Sequence, residues 1–178
     1  MADETWTIRD SSDADVEGVA QIYGHWVEHG LGSFELLAPP ASGIAERRAA
    51  ILADGFPYLV AVGSAGERLG FAYASWYRTR PAYRFACEDS VYVAPIAVRR
   101  GVGRRLLLEL VRRCTVMGLR LMVAVIGDSN NLPSIELHRR SGFEMAGTLP
   151  SIGWKHGRWV DTVLMTRPLG PGNQSPPV

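Results

Sequence analysis

The sequence predicts a mixed α/β fold, a mostly antiparallel central sheet with helices on both faces. Three observations carry this. Short β-branched runs alternate with helical patterns in the order β-α-α-β-β-β-α-β-α-β-β. Two pairs of runs are joined by tight turns, "SAGE" and "HG", which make their neighbours antiparallel. Near Val102 the apolar period lengthens from two residues to three or four.

Each element has its own signal. "TWTIRD" alternates as a first strand. Asp13 caps a helix whose apolar stripe runs through Val16, Val19, Ala20, Tyr23, Trp26 and Val27. "EHGLGSFELLAPP" breaks it, and a second helix runs from about Ser42 to Ala53. "YLVAVG" and "RLGFAYASWY" form a hairpin, and "SVYVAPIAV" follows as a further strand. Val102, Leu106, Leu110 and Cys114 stripe the next helix, with Glu109–Arg113 at i, i+4 on its other side. "RLMVAVIG" is a strand buried on both faces. "DSNNLPSIELHRRSGF" is a short helix with an Asn cap, Pro133 in its first turn and Gly142 past its end. Two strands around "HG" close the chain.

With 178 residues, 47% of them hydrophobic, the chain suits one globular domain, assigned to residues 1–169. The remainder, 170–178, is rich in Gly and Pro and is expected to be disordered. A formal charge of +1 gives no global attraction to nucleic acid or to an anionic membrane. No apolar run approaches the roughly 20 residues needed to span a bilayer, and "MADETWTIRD" does not read as a signal peptide. Cys87 and Cys114 lack metal-ligand spacing, so no metal is expected and a reducing cytoplasm is the expected home.

The most informative stretch is "EDSVYVAPIAVRRGVGRRLLLEL". A strand passes through a glycine-spaced basic turn into a helix. A helix start offers unpartnered N–H groups and about half a positive charge, and preceding glycines let backbone wrap an anion. Arg99, Arg100, Gly101, Val102, Gly103 and Arg104 meet that description. A P-loop is excluded, because no Gly-x-x-x-x-Gly-Lys-Ser/Thr run exists. A dinucleotide fingerprint is excluded by Leu106, which stands where its third glycine belongs.

"VYVAPIAVRRGVGRRLLLELV" and "VAVIGDSNNLPSIELHRRSGF", in this element order, resemble the GNAT superfamily of N-acetyltransferases. "GFAYASWYRTRPAYRFACEDSVYV", "SIELHRRSGF" and "GWKHGRWVDTVLM" are similar to its phosphinothricin and methionine sulfoximine group, so the likeness spans about Trp6 to Leu169. One position departs: Val98 stands where the family's pyrophosphate loop begins with Gln or Arg. The resemblance implies a GNAT fold, whose central strand pair splays. It also implies acetyl-CoA as cosubstrate, held by the glycine turn and by Val91, Tyr92, Val93 and either Asn130 or Asn131. Glu88 inherits the role of general base for the amine. His138 has two readings, proton donor to the departing thiolate or packed core histidine. Phe34, Arg78, Arg80, Tyr83, Asp89 and Ser90, with Glu88, are expected around the acceptor, where an arginine fork suits a carboxylate or phosphinate.

The implied activity is acetyl transfer to the α-amine of a small amino-acid-like substrate such as phosphinothricin, methionine sulfoximine or methionine sulfone, by an enzyme expected to be a homodimer. The alternatives are another amine (an aminoglycoside, a polyamine or a protein N-terminus) or a non-catalytic CoA-binding sensor. Arg78–Arg84 opposes a polycation, and a sensor needs neither Glu88 nor His138.

Overall fold

Seven strands form one sheet in the computed structural model, which describes residues 6–176. In chain order they are β1 (Trp6–Asp10), β2 (Tyr58–Gly63), β3 (Arg68–Trp76), β4 (Ala86–Val93), β5 (Leu121–Gly127), β6 (Glu144–Lys155) and β7 (Arg158–Pro168). Their spatial order is β1-β2-β3-β4-β5-β7-β6, antiparallel throughout except for β4 and β5, which run parallel. The helices are α1 (Val16–His29), α2 (Ala41–Ala53), α3 (Val102–Val116) and α4 (Leu132–Arg140). The expected element order is therefore found.

Strand alternation places the layers. On one face the Tyr23 ring of α1 meets Tyr92 of β4 edge-on at 5.0 Å. Tyr58, Phe71, Tyr73 and Tyr92 stack along that same face, below Ile44 and Arg47 of α2. On the other face lies α3, whose Leu106, Leu107, Leu110 and Cys114 are fully buried. There Gly103 sits so close to Val93 and Leu137 that a Cβ would lie 3.1 and 3.4 Å from their methyl groups. The core thus fills both sides of the sheet.

Some expectations need correction. Asp13 does not cap α1: it lies in a 3-10 turn, Asp13–Asp15, that Ser12 precedes, and α1 follows from Val16. The strand read as "SVYVAPIAV" stops at Val93, and Pro95–Ala97 forms a single 3-10 turn. Proline has no N–H for the ladder, so pairing ends where it enters. The Gly- and Pro-rich tail touches the domain over its described part. Arg120 donates to the Gly172 and Pro176 carbonyls, each at 3.1 Å, and Gly172 is buried. A single long side chain supplies the anchor that the tail's composition lacks.

Candidate active site

The parallel ladder between β4 and β5 holds only from Ala86–Leu121 to Asp89–Ala124. Beyond it β4 continues along β3 as far as the Val93–Gly70 pair, while β5 continues along β7 to Gly127. The two strands part, and a cleft opens between Ser90–Val93 and the end of β5. The Ala94 amide donates to Leu69 of β3 at 2.9 Å. Alternation then turns the Val93 and Val91 amides to the opposite edge, the one β5 has left. The Val93 carbonyl on that edge accepts a bond from Trp26 Nε1 of α1 at 2.8 Å.

At the end of this edge lies the glycine turn. Gly101 has φ +79°, a left-handed conformation that nearly any side chain would strain. Arg99 shares it at φ 63°. Gly101 precedes α3 without a side-chain cap, which leaves the first amides of the helix, those of Val102, Gly103 and Arg104, open to an anion. Arg99 and Arg104 are exposed beside them and Arg100 is half-buried. Arg105 is turned away, stacked on the Trp6 ring at 4.1 Å. The turn therefore fits a pyrophosphate, and the open edge of Val91 and Val93 fits the amides of a pantetheine arm.

Glu88 and Ser90 share the Tyr92 face of β4, opposite α3. Burial pushes the Glu88 carboxyl above its ordinary value, the charge of Asp89 adds to this, and Arg78 opposes it. Ser90 stands across the ladder from Tyr73. Arg78 donates to the Tyr77 carbonyl at 2.9 Å and lies over the Tyr77 ring, while Tyr83 meets that ring edge-on at 6.0 Å. Arg80 is exposed and pairs with nothing among the described residues. Arg84 folds back on Pro81 and Phe85. Phe34 packs on the backbone of β6, where a Cβ on Gly153 would meet its ring at 2.2 Å.

Three expected site residues are placed otherwise. Tyr92, assigned to the cofactor, turns its ring to α1. Asp89, assigned to the substrate, faces away from Glu88 and bonds His138 Nε2 at 3.0 Å. Asn131 is the cap of α4: its Oδ1 accepts from the Ser134 amide at 3.3 Å and its Nδ2 donates to the Gly127 carbonyl at 3.4 Å. Asn130 is exposed and its side chain makes no hydrogen bond among the described residues.

The sequence reading missed a polar network over the aromatic face. Tyr23 donates to Glu35 at 2.9 Å and accepts from Ser33 Oγ at 3.1 Å, and Arg47 of α2 forms an ion pair with Glu35. Tyr23, Arg47, Tyr58 and Tyr73 line a crevice of about 10 Å³, the room of one water. Arg47 gave no signal, because an arginine beside another, Arg48, on an amphipathic helix reads as solvated.

The chain matches the acetyltransferase (GNAT) family over residues 22–143. It is 48% identical to a phosphinothricin N-acetyltransferase of Alcaligenes faecalis over 171 residues, which cover 96% of this chain and 86% of that protein. It is 40% identical to an L-methionine sulfoximine/L-methionine sulfone acetyltransferase of Pseudomonas paraeruginosa, covering 96% of this chain and 98% of that one. Among solved structures, a GNAT superfamily phosphinothricin acetyltransferase from Sinorhizobium meliloti in complex with AcCoA superposes with a TM-score of 0.94 at 45% identity, covering 98% of this chain and 94% of the other.

Proposed function

The chain belongs to the GNAT acetyltransferase family, and from that premise we propose that it acetylates the α-amine of a small amino acid resembling phosphinothricin, methionine sulfoximine or methionine sulfone. The observation that carries the reading is the cleft where β4 leaves β5, with Glu88 on one face of β4 and the glycine turn beyond its other end. Acetyl-CoA supplies an activated acetyl thioester when bound. Gly101, Val102, Gly103 and Arg104 hold its pyrophosphate through main-chain N–H groups and charge, with Arg99 beside them. Val91, Val93 and Asn130 hold the arm.

The amine arrives as an ammonium. Freeing its lone pair at neutral pH costs roughly 3 to 4 kcal/mol at about 1.36 kcal/mol per pK unit. Glu88, whose burial raises its basicity, takes that proton. Arg78 and Arg80 supply donors for the substrate carboxylate, and Phe34 covers its side chain. These exposed guanidinium groups repel a polyamine or an aminoglycoside.

A homodimer through the last hairpin is part of this reading. Trp154 and Trp159 stack edge-on at 5.3 Å and are more than half exposed, with Ile152 and Met145 exposed on the same hairpin. The reading also places the enzyme in the cytoplasm and supports it with two free buried thiols, Cys87 and Cys114. Thiol release from acetyl-CoA across a panel of amino acids and their amides tests the assignment. Free amino acids should turn over and amides should be poor. Preference for spermine or kanamycin would overturn the substrate class, and CoA binding without turnover would point to a sensor.

A further inference from the structure

Asp89 and His138 meet in the core between β4 and α4. The His138 ring places Nε2 3.0 Å from Asp89 Oδ2 and Nδ1 2.7 Å from the Ser134 carbonyl oxygen. A carbonyl only accepts, so Nδ1 carries a proton, and opposite an ionised carboxylate Nε2 carries one as well. Asp89 is 7% exposed and His138 5%. The Phe143 ring stands edge-on to the imidazole at 5.1 Å, and among the described residues Asp89 is the charged group set against it. Burial pushes the imidazole down, the Asp89 bond and charge push it up, and the balance lies above its ordinary value.

We propose that Asp89 is a positioning residue, which holds His138 as a buried imidazolium clamping α4 to β4 at the apex of the cleft, and that His138 is not the proton donor to the departing thiolate. Asp89 is the last residue paired between β4 and β5, so the clamp sits where the strands separate. The helix it holds starts at Leu132, with Asn131 as its cap and Asn130 just before it, and its seat therefore sets the loop offered to the pantetheine arm. Neither ring proton is free to leave. Giving one up would strip the Ser134 carbonyl or the Asp89 carboxylate of its donor. Asp89 Oδ1 has no partner among the described residues, a cost that a serine there would avoid. What the carboxylate adds is the charge that keeps the second ring proton in place.

The inference rests on the acetyl-transfer reading for its consequence, but its first test does not. In the full chain labelled with 15N-histidine, with the His138 signal assigned by His138→Gln, both ring nitrogens should stay protonated from about pH 6 to 8. Asp89→Asn should release one of those protons within that range. In kinetics, Asp89→Asn should raise the acetyl-CoA KM about tenfold and leave kcat within about threefold. The double variant Asp89→Asn/His138→Gln rebuilds a neutral hydrogen bond and should recover most of that KM. A neutral His138 in the unaltered protein at pH 7 would overturn the clamp. So would a double variant that folds but loses more than about a hundredfold in kcat, the loss expected of a missing acid. Should the variants fail to fold, the spectrum of the unaltered protein decides alone. Should no amine be acetylated, that spectrum still decides the clamp, and only the acetyl-transfer reading falls.

Discussion

The Lys155 ammonium, 1% exposed, donates to the Ser33 carbonyl at 2.7 Å and so ties the last hairpin to the loop between α1 and α2. That loop carries Phe34 and Glu35. Burial lowers the Lys155 pKa, opposed by the charge of Glu35. The methionine variant, Lys155→Met, removes a desolvated charge but leaves a carbonyl without its donor, opposing effects of about 1 to 3 kcal/mol each. Its melting temperature should move by no more than about 5 °C. The KM for the amine should rise about tenfold with the acetyl-CoA KM unchanged, the pattern of lost ground-state binding. Calorimetry and initial rates check this, and a shift in the acetyl-CoA KM instead would assign the loop to the donor side.

Glu88→Gln keeps shape and hydrogen-bonding capacity but removes basicity. It should lower kcat/KM by about 10² to 10⁴ at neutral pH while acetyl-CoA binds normally. Because burial raises the Glu88 pKa, the acid limb of the unaltered enzyme's kcat/KM profile should lie above the ordinary carboxyl value of 4.5, and the variant should lose that limb. A rise in amine KM with kcat intact would mean that Glu88 only orients the ammonium.

The glycine turn gives a separable test. No atom lies within 4 Å of a Cβ built on Gly101, but its left-handed φ strains any side chain. Gly101→Val should cost about 1 to 2 kcal/mol and leave the protein folded. A ligand at 100 times its Kd stabilises by about 2.7 kcal/mol, so acetyl-CoA should raise the melting temperature of the unaltered protein measurably. That rise should be lost in Gly101→Val. Gly103 is less suited to this experiment, since a side chain there presses on Val93 and Leu137.

Acid stability should turn on Asp15. Its fully buried carboxylate takes bonds from Arg9 at 2.7 and 2.8 Å, from Ser12 at 2.7 and 3.0 Å and from Arg68 at 2.8 Å. Burial pushes its pKa up, but those bonds together hold it well below the ordinary 3.8. A depressed carboxyl contributes stability that is present above the unfolded value and lost as pH falls through the folded one. Asp15→Asn should therefore cost about 2 to 4 kcal/mol at pH 7, and its deficit should shrink below about pH 4. Urea melts at pH 7 and pH 3 measure both, and an equal deficit at the two values would refute the ionic account.

The fold was legible because its signals are local. Apolar stripes in α1 and α3, the turns "SAGE" and "HG", and Pro95 each act within a few residues. Site candidates could be named from the sequence only where a motif stays contiguous, as at Arg99–Arg104 and Glu88. What escaped is long-range. No spacing links Trp26 to the Val93 carbonyl, Asp89 to His138, or Lys155 to Ser33, because the sheet brings them together only once folded. Asn130 and Asn131 likewise stood open in the sequence, where nothing shows that the Ser134 amide bonds the Asn131 side chain.

Adjacent side chains of β4 point into different compartments: Glu88, Ser90 and Tyr92 toward α1 and α2, Asp89, Val91 and Val93 toward α3 and α4. A mutational scan along this strand should therefore oscillate. Even positions should change which acceptors are tolerated, and odd positions should change the response to acyl chain length and to the donor's concentration. Selection on substrate range could then act on every second codon of a single strand without touching the other half of the reaction.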